Sequence, residues 1–210
     1  MRRLLALLLA LPLLGATSPA PDAPMPARPA LAPLAFEQIA RPGTKMPRFM
    51  VDAAWPAMPP DLLLGQVSGV AVAPDDSVWV VHRPHSLTAT DTGLAQSPPI
   101  AVCCKPAPPV VHFTSDGRYL GGWGGPDSAP SVGGVNQWPA SLHGIFVDDA
   151  GTVWFGGNGK DDHVVLNYRA DGTFIRAFGQ RGKTGGNDAT DQLGNPSDVN
   201  HSDGMVLISD

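Results

Sequence analysis

HGIFVDDAGTVWFGGNGKDDHVVLNYRADGTFIRAFGQ, His143 to Gln180, reads as four short apolar runs separated by polar turns. The runs are rich in Val, Ile, Phe, Trp and Tyr, and none shows helical spacing, which is the pattern of short strands rather than helices. Asp171-Gly172 sits between two of them, and an Asp-Gly pair flanked by apolar strands is a strong local hairpin signal. The same unit recurs upstream as SGVAVAPDDSVWVVH (from Ser68) and PVVHFTSDGRYLGGWGG (from Pro109). There Asp116-Gly117 takes the place of Asp171-Gly172, 55 residues earlier. A third unit opens with SDVNHSDGMVLISD (from Ser197) and lacks the Trp.

Self-similar units of four strands joined by tight turns predict an all-β fold, a β-propeller of four-stranded antiparallel blades. A β-sandwich uses similar strands but does not require the repeat. Gly69 to Gly144 spans 75 residues and Gly144 to Asp198 spans 54, so each blade takes more than 50 residues. Two complete blades and the first two strands of a third fit before Asp210, roughly two and a half in all. A propeller buries its blade faces by radial closure, so an arc of this size leaves faces wet and an edge strand unpaired. The expectation is an N-terminal portion of a longer product, with the remaining blades missing or supplied by another chain. Asp198 to Gly204 is one residue shorter than Gly144 to Gly151, which predicts a tighter first turn in the third blade.

Outside residues 49–210, assigned to the partial propeller, the composition changes. Residues 1–20 pair Arg2 and Arg3 with the apolar run Leu4 to Leu14 and a small-residue zone at Ala16 to Ala20, the layout of a signal peptide. That predicts a secreted or periplasmic protein with no stable membrane span, since the apolar run is too short and Pro12 interrupts it. Residues 21–48 are rich in Pro and Ala and read as a disordered linker. The net charge is −5, and removal of two arginines with the leader takes it to −7, which argues against nucleic acid as a partner.

The phrases GQVSGVAV (Gly65 to Val72), VWVVHRP (Val78 to Pro84), HGIFVDDAGTVWFGGNG (His143 to Gly159) and LNYRADGTFIRAFGQRGKTGG (Leu166 to Gly186) resemble NHL-repeat propellers. Within that superfamily they resemble the peptidyl-α-hydroxyglycine α-amidating lyase branch and its bacterial relatives. DGTFIRAFG is generic to NHL repeats; QVSGVAV followed by HRP and then HGI is more specific. The resemblance implies a six-bladed propeller and a metal-dependent lyase that cleaves the C–N bond of hydroxyglycine amides, acting on a peptide or small amide.

It also implies site residues. His143 matches one of three channel histidines that bind zinc, a metal suited to neutral imidazole and, in catalytic sites, to three protein ligands with one open position. Read without the resemblance, His143 is a turn or channel histidine bonded to backbone. Val70 and Ile145 match positions whose backbone carbonyls bind calcium, which favours hard oxygen ligands; they are also ordinary inner-strand residues. Arg83 matches the catalytic arginine that stabilises negative charge beside the reacting hydroxyglycine. Alternation puts it on one face with Trp79 and Val81, and an Arg closing an apolar strand is otherwise a solvated terminus. Zinc and calcium are thus the cofactors implied, with the site incomplete in this chain.

Cys103 and Cys104 are the only cysteines. A strained vicinal disulfide, a thiol metal site and a bystander pair all remain open for them. The pair sits in a Pro-rich insertion, Pro98 to Pro109, that lengthens the first blade. His82, His85, His112, His163 and His201 show no metal-ligand spacing among themselves. Beside the lyase-like enzyme, two other functions stand: a non-catalytic NHL propeller binding a peptide, glycan or protein, and a calcium-dependent lactonase-like propeller. The acidic ligands expected of the last are not evident.

Overall fold

The computed structural model describes residues 49–186, 188–202 and 204–210. The signal peptide expected at 1–20 and the linker expected at 21–48 lie outside the described residues. From Asp52 to Asp210 the chain forms one unit. Its strands are β1 (Leu62–Leu63), β2 (Gln66–Val72), β3 (Val78–Arg83), β4 (Lys105–Pro106), β5 (Val110–Phe113), β6 (Tyr119–Trp123), β7 (Ser131–Val132) and β8 (Val135–Asn136). They continue with β9 (Leu142–Val147), β10 (Val153–Gly157), β11 (Val164–Tyr168), β12 (Phe174–Gly179), β13 (Asp198–Ser202) and β14 (Met205–Ser209).

Two four-stranded antiparallel sheets account for most of these strands, β2-β3-β5-β6 and β9-β10-β11-β12, each in simple meander order. The repeat is exact in register: Trp79 pairs with Ala71 and His112 in the first sheet, as Trp154 pairs with Phe146 and Asn167 in the second. A third hairpin, β13-β14, follows the same pattern. The all-β, four-stranded reading therefore holds at the level of the sheets.

Three of the tight turns share one geometry. Gly117 N donates to Thr114 O and Thr114 N to Arg118 O; Gly172, Arg169 and Thr173 repeat this, as do Gly151, Asp148 and Thr152. Each loop has three residues, with the last in the left-handed region at Gly117 (φ +89°), Gly172 (φ +84°) and Gly151 (φ +72°). The Asp-Gly pairs thus close three-residue loops with the glycine at the left-handed position, rather than two-residue turns in which both residues have positive φ. The third hairpin is tighter, as its shorter spacing predicts: Ser202 pairs with Met205 across two residues.

Apolar faces of the sheets pack on one another. Trp79, Val81 and Val110 of the first sheet join Ile145, Val147, Phe155, Leu166 and Tyr168 of the second in the main core. On the far face of the second sheet, Trp154 and Val165 pack with Val199 of β13, Val206 and Ile208. The far face of the first sheet holds Val80, Val111 and Phe113, with Trp55, Met58, Leu62 and Leu64 against them.

The first strands of successive units lie side by side, and glycines permit it. A Cβ on Gly69 would come 2.6 Å from His143 O, and one on Gly144 would come 2.7 Å from Ser197 O. The Val67–Val72 and Gly144–Val147 segments thus belong to different sheets whose first strands pack side by side. No helix among the described residues is long and apolar enough to cross a membrane.

Candidate functional site

The end of the sheets where β3 finishes and β9 begins carries Arg83 and His143, whereas Val70 and Ile145 lie within strands β2 and β9. On β3, alternation turns Trp79, Val81 and Arg83 the same way: the first two enter the core shared with the second sheet, and Arg83 reaches that sheet directly. Its Nε donates to Leu142 O at 3.0 Å and its Nη2 to Asn158 Oδ1 at 3.2 Å, while Nη1 donates to Gln66 Oε1 at 3.1 Å. Arg83 is therefore a half-buried bridge between units, not a solvated strand end. Ser141 Oγ donates to the same Asn158 oxygen at 3.0 Å, which fixes the amide.

His143 follows Leu142 at the start of β9. Its Nδ1 lies 2.7 Å from Ser197 O, and Gly144 N donates to that carbonyl at 3.1 Å. A carbonyl only accepts, so a neutral imidazole carries its proton on Nδ1 and leaves Nε2 with the lone pair. That tautomer, with Nδ1 held by backbone, is the one a metal-ligating histidine adopts. His143 thus fits one place in a zinc site, and its backbone-bonded alternative is equally visible in the same contact. Among the described residues, no three His, Cys, Asp or Glu side chains are grouped to hold a metal ion.

Val70 and Ile145 occupy equivalent places in the first strands of the two sheets, opposite Val80 and Phe155. Their side chains differ in environment, Val70 being 57% exposed and Ile145 6%. Beside Arg83, the walls of His82, Pro84, Trp138, Pro139 and Leu142 enclose a crevice of only ≈ 30 Å³. That is room for about one water, so a substrate at this end would lie on the surface above Arg83.

His82 is excluded from metal work by its own contacts. It is fully buried, Gly65 N donates to its Nδ1 at 3.0 Å, and Nε2 donates to Pro108 O at 2.8 Å. Both nitrogens are used, and burial holds the imidazole below its ordinary pKa against the opposing pull of the Pro108 carbonyl. His163 Nδ1 meets Gly194 O, and His201 stacks on Trp154. Cys103 and Cys104 are joined as a vicinal disulfide, and the peptide between them is cis, with Cα atoms 3.1 Å apart rather than at the trans spacing. The insertion carrying them lies in the β3–β5 connection and is tied down by β1-β4 pairing and by Lys105 Nζ at 3.1 Å from Asp61.

Three residues important to this end went unread in the sequence. Asn158 looks like part of a Gly-rich turn, GGNG, and Gln66 like a strand start. Asp162, fully buried, accepts from Ala140 N and Ser141 N at 2.8 Å, Gly159 N at 3.1 Å and Arg181 Nε at 3.1 Å. It holds the loops that present Asn158 and Leu142. No protein-family profile matches the chain, and no curated protein is significantly similar to it.

Proposed function

We propose that the chain is an arc of an exported, NHL-type six-bladed β-propeller whose Arg83–His143 end is a lyase-like site for N-acyl-α-hydroxyglycines. Two meander sheets in identical register, and first strands packed side by side through Gly69 and Gly144, support the propeller reading. The observation that carries the site is the reach of Arg83 across units to Leu142 O, next to His143, 59 residues away in sequence. A guanidinium there is placed to pair with a substrate carboxylate or a developing oxyanion. His143 Nε2 would hold zinc, which supplies a Lewis acid when bound; Val70 and Ile145 carbonyls would serve calcium.

A second reading, a propeller that binds a peptide, glycan or protein without chemistry, is favoured by the engagement of Nε, Nη1 and Nη2 of Arg83 by protein acceptors. N-benzoyl-α-hydroxyglycine, followed by ligand-detected NMR with zinc present, separates the two. Uptake lost in Arg83→Ala and in His143→Gln supports the site, and release of glyoxylate and benzamide makes it a lyase. Uptake without release supports the binder, and uptake unchanged in both variants, or none, rejects the site.

A further inference from the structure

At the opposite end of the strands from Arg83, the two inter-sheet crevices differ. The second, between the second sheet and the β13-β14 hairpin, is filled. Asp148 accepts from Thr152 N at 2.8 Å, Thr152 Oγ1 at 2.6 Å and Trp154 Nε1 at 2.9 Å. His201 stacks on Trp154, with ring centroids 5.7 Å apart and planes within 10°, and places Nδ1 3.8 Å from Asp148 Oδ2.

The first crevice lacks both groups. Ala73 stands at the Asp148 position, since Ala73 N donates to Ser77 O as Asp148 N does to Thr152 O. Val147, paired with Val153, stands at the position of His201, paired with Val206. A cleft of ≈ 320 Å³ remains, lined by Ala73, Asp75, Trp79, His112, Val147 and Asp149 among others. That volume lies within the range of small-molecule sites.

Its chemistry is one-sided. Trp79 and His112 are stacked at 3.9 Å with planes 14° apart, and the buried Trp79, Ala73 and Val147 show only their edges, as an apolar floor. Asp75 and Asp149 are both exposed carboxylates. Ser77 bonds Asp75 Oδ1 from its hydroxyl at 2.5 Å and its N–H at 3.0 Å, which holds that carboxyl below its ordinary pKa and ionised. Burial pushes the His112 pKa down against the opposing pull of the Asp75 carboxylate, and its buried Nε2 has no hydrogen-bond partner among the described residues.

We propose that this cleft binds a small organic cation, an ammonium on a compact apolar body, with the body on the floor formed by Ala73, Trp79, His112 and Val147 and the charge between Asp75 and Asp149. Two exposed carboxylates at the mouth of a cleft with an apolar floor favour a cation over a neutral or anionic ligand of the same shape. The assignment is independent of the Arg83–His143 end.

The test titrates the chain with benzylammonium, benzyl alcohol and benzoate, following the Trp79 indole N–H by NMR. Benzylammonium is expected to shift it saturably, benzyl alcohol more weakly and benzoate not at all. Asp149→Asn, at an exposed carboxylate, should weaken benzylammonium about threefold to fivefold while leaving benzyl alcohol unchanged. The pair A73D/V147H, which installs the groups of the filled crevice, should abolish the shift. The proposal is overturned by no saturable shift, by equal uptake of benzylammonium and benzyl alcohol, or by benzylammonium affinity unchanged in Asp149→Asn.

Discussion

Asp76 occupies the left-handed position that glycine holds in the three other turns of its type, at φ +63°. An L side chain there costs roughly 1 kcal/mol, less for Asp than for most residues. Asp76→Gly should therefore raise stability by up to about 1 kcal/mol in urea unfolding. The converse changes divide by surroundings. A Cβ on Gly151 meets open space, whereas one on Gly172 comes 2.9 Å from Trp123 Cγ. Gly151→Ala should cost about 1–2 kcal/mol from backbone strain alone, and Gly172→Ala more, because the indole must move as well. Equal losses at the two sites would contradict the stacking argument. Glycine in an Asp-Gly pair was legible as a hairpin from the residues alone; the ring laid over it was not, since Trp123 lies 49 residues away in the preceding unit.

Histidine 82 shows a similar limit at the same scale. Its sequence neighbours, Val-His-Arg-Pro, suggest a strand end, yet its partners are Gly65 and Pro108 in distant loops. Its folded pKa lies below the ordinary 6.5, so near and below that pH the unfolded chain binds a proton that the folded chain refuses. The stability this group contributes is complete above the unfolded pKa and falls as pH drops toward the folded one, by at most about 1.4 kcal/mol per pH unit. His112, also depressed by burial, adds in the same direction. Melting temperature should fall on acidification from about pH 7 to pH 5, and less steeply in His82→Gln; parallel curves for the two proteins would refute the assignment.

At the scale of elements, the repeat explains both what the sequence displays and what it conceals. The unbroken apolar runs in VWVVHR and VWFGG mark strands buried on both faces, and a slip of one residue would exchange Trp79 with Val80, or Trp154 with Phe155, between cores packed for the other. The aromatic contact also repeats: Trp123 lies 6.5 Å from Trp79 as Phe178 lies 6.0 Å from Trp154. Trp55 Nε1 donates to Ser115 O and Trp123 Nε1 to Ala170 O, so Trp55, outside any recognised repeat, does for the first sheet what Trp123 does for the second. The loops are where pattern fails, because their geometry depends on single buried acceptors. Asp162 serves three backbone N–H groups and Arg181 at once. Asp162→Ala should destabilise by about 3 kcal/mol or more, since buried donors lose their partner. Arg83 would lose its Asn158 contact with it, and in thermal melts the loss should be much larger than for Asp161→Ala on the exposed neighbour.

For the whole molecule, the deciding feature is the pair of surfaces at either side of the stack of sheets. On the first sheet, Val67, Val70 and Val72 of β2 are 46%, 57% and 65% exposed. On the last hairpin, Met205 and Leu207 are 60% and 58% exposed, and β14 pairs only with β13 among the described residues. An exposed apolar strand with a free hydrogen-bonding edge is a template for another chain. The two surfaces belong to different sheets, so a contact of one molecule's β14 with the next molecule's β2 is head-to-tail and need not close. The 210-residue chain should therefore associate as concentration rises, detected as a rising sedimentation coefficient. Leu207→Lys places a charge on the edge strand, and Val70→Thr removes apolar surface from β2 while keeping strand preference. Each should lower association, and because they act on opposite partners of one contact, combining them should add little beyond the stronger single change. A chain that stays monomeric at every concentration, or association untouched by either substitution, would remove this contact and leave the exposed valines without a partner.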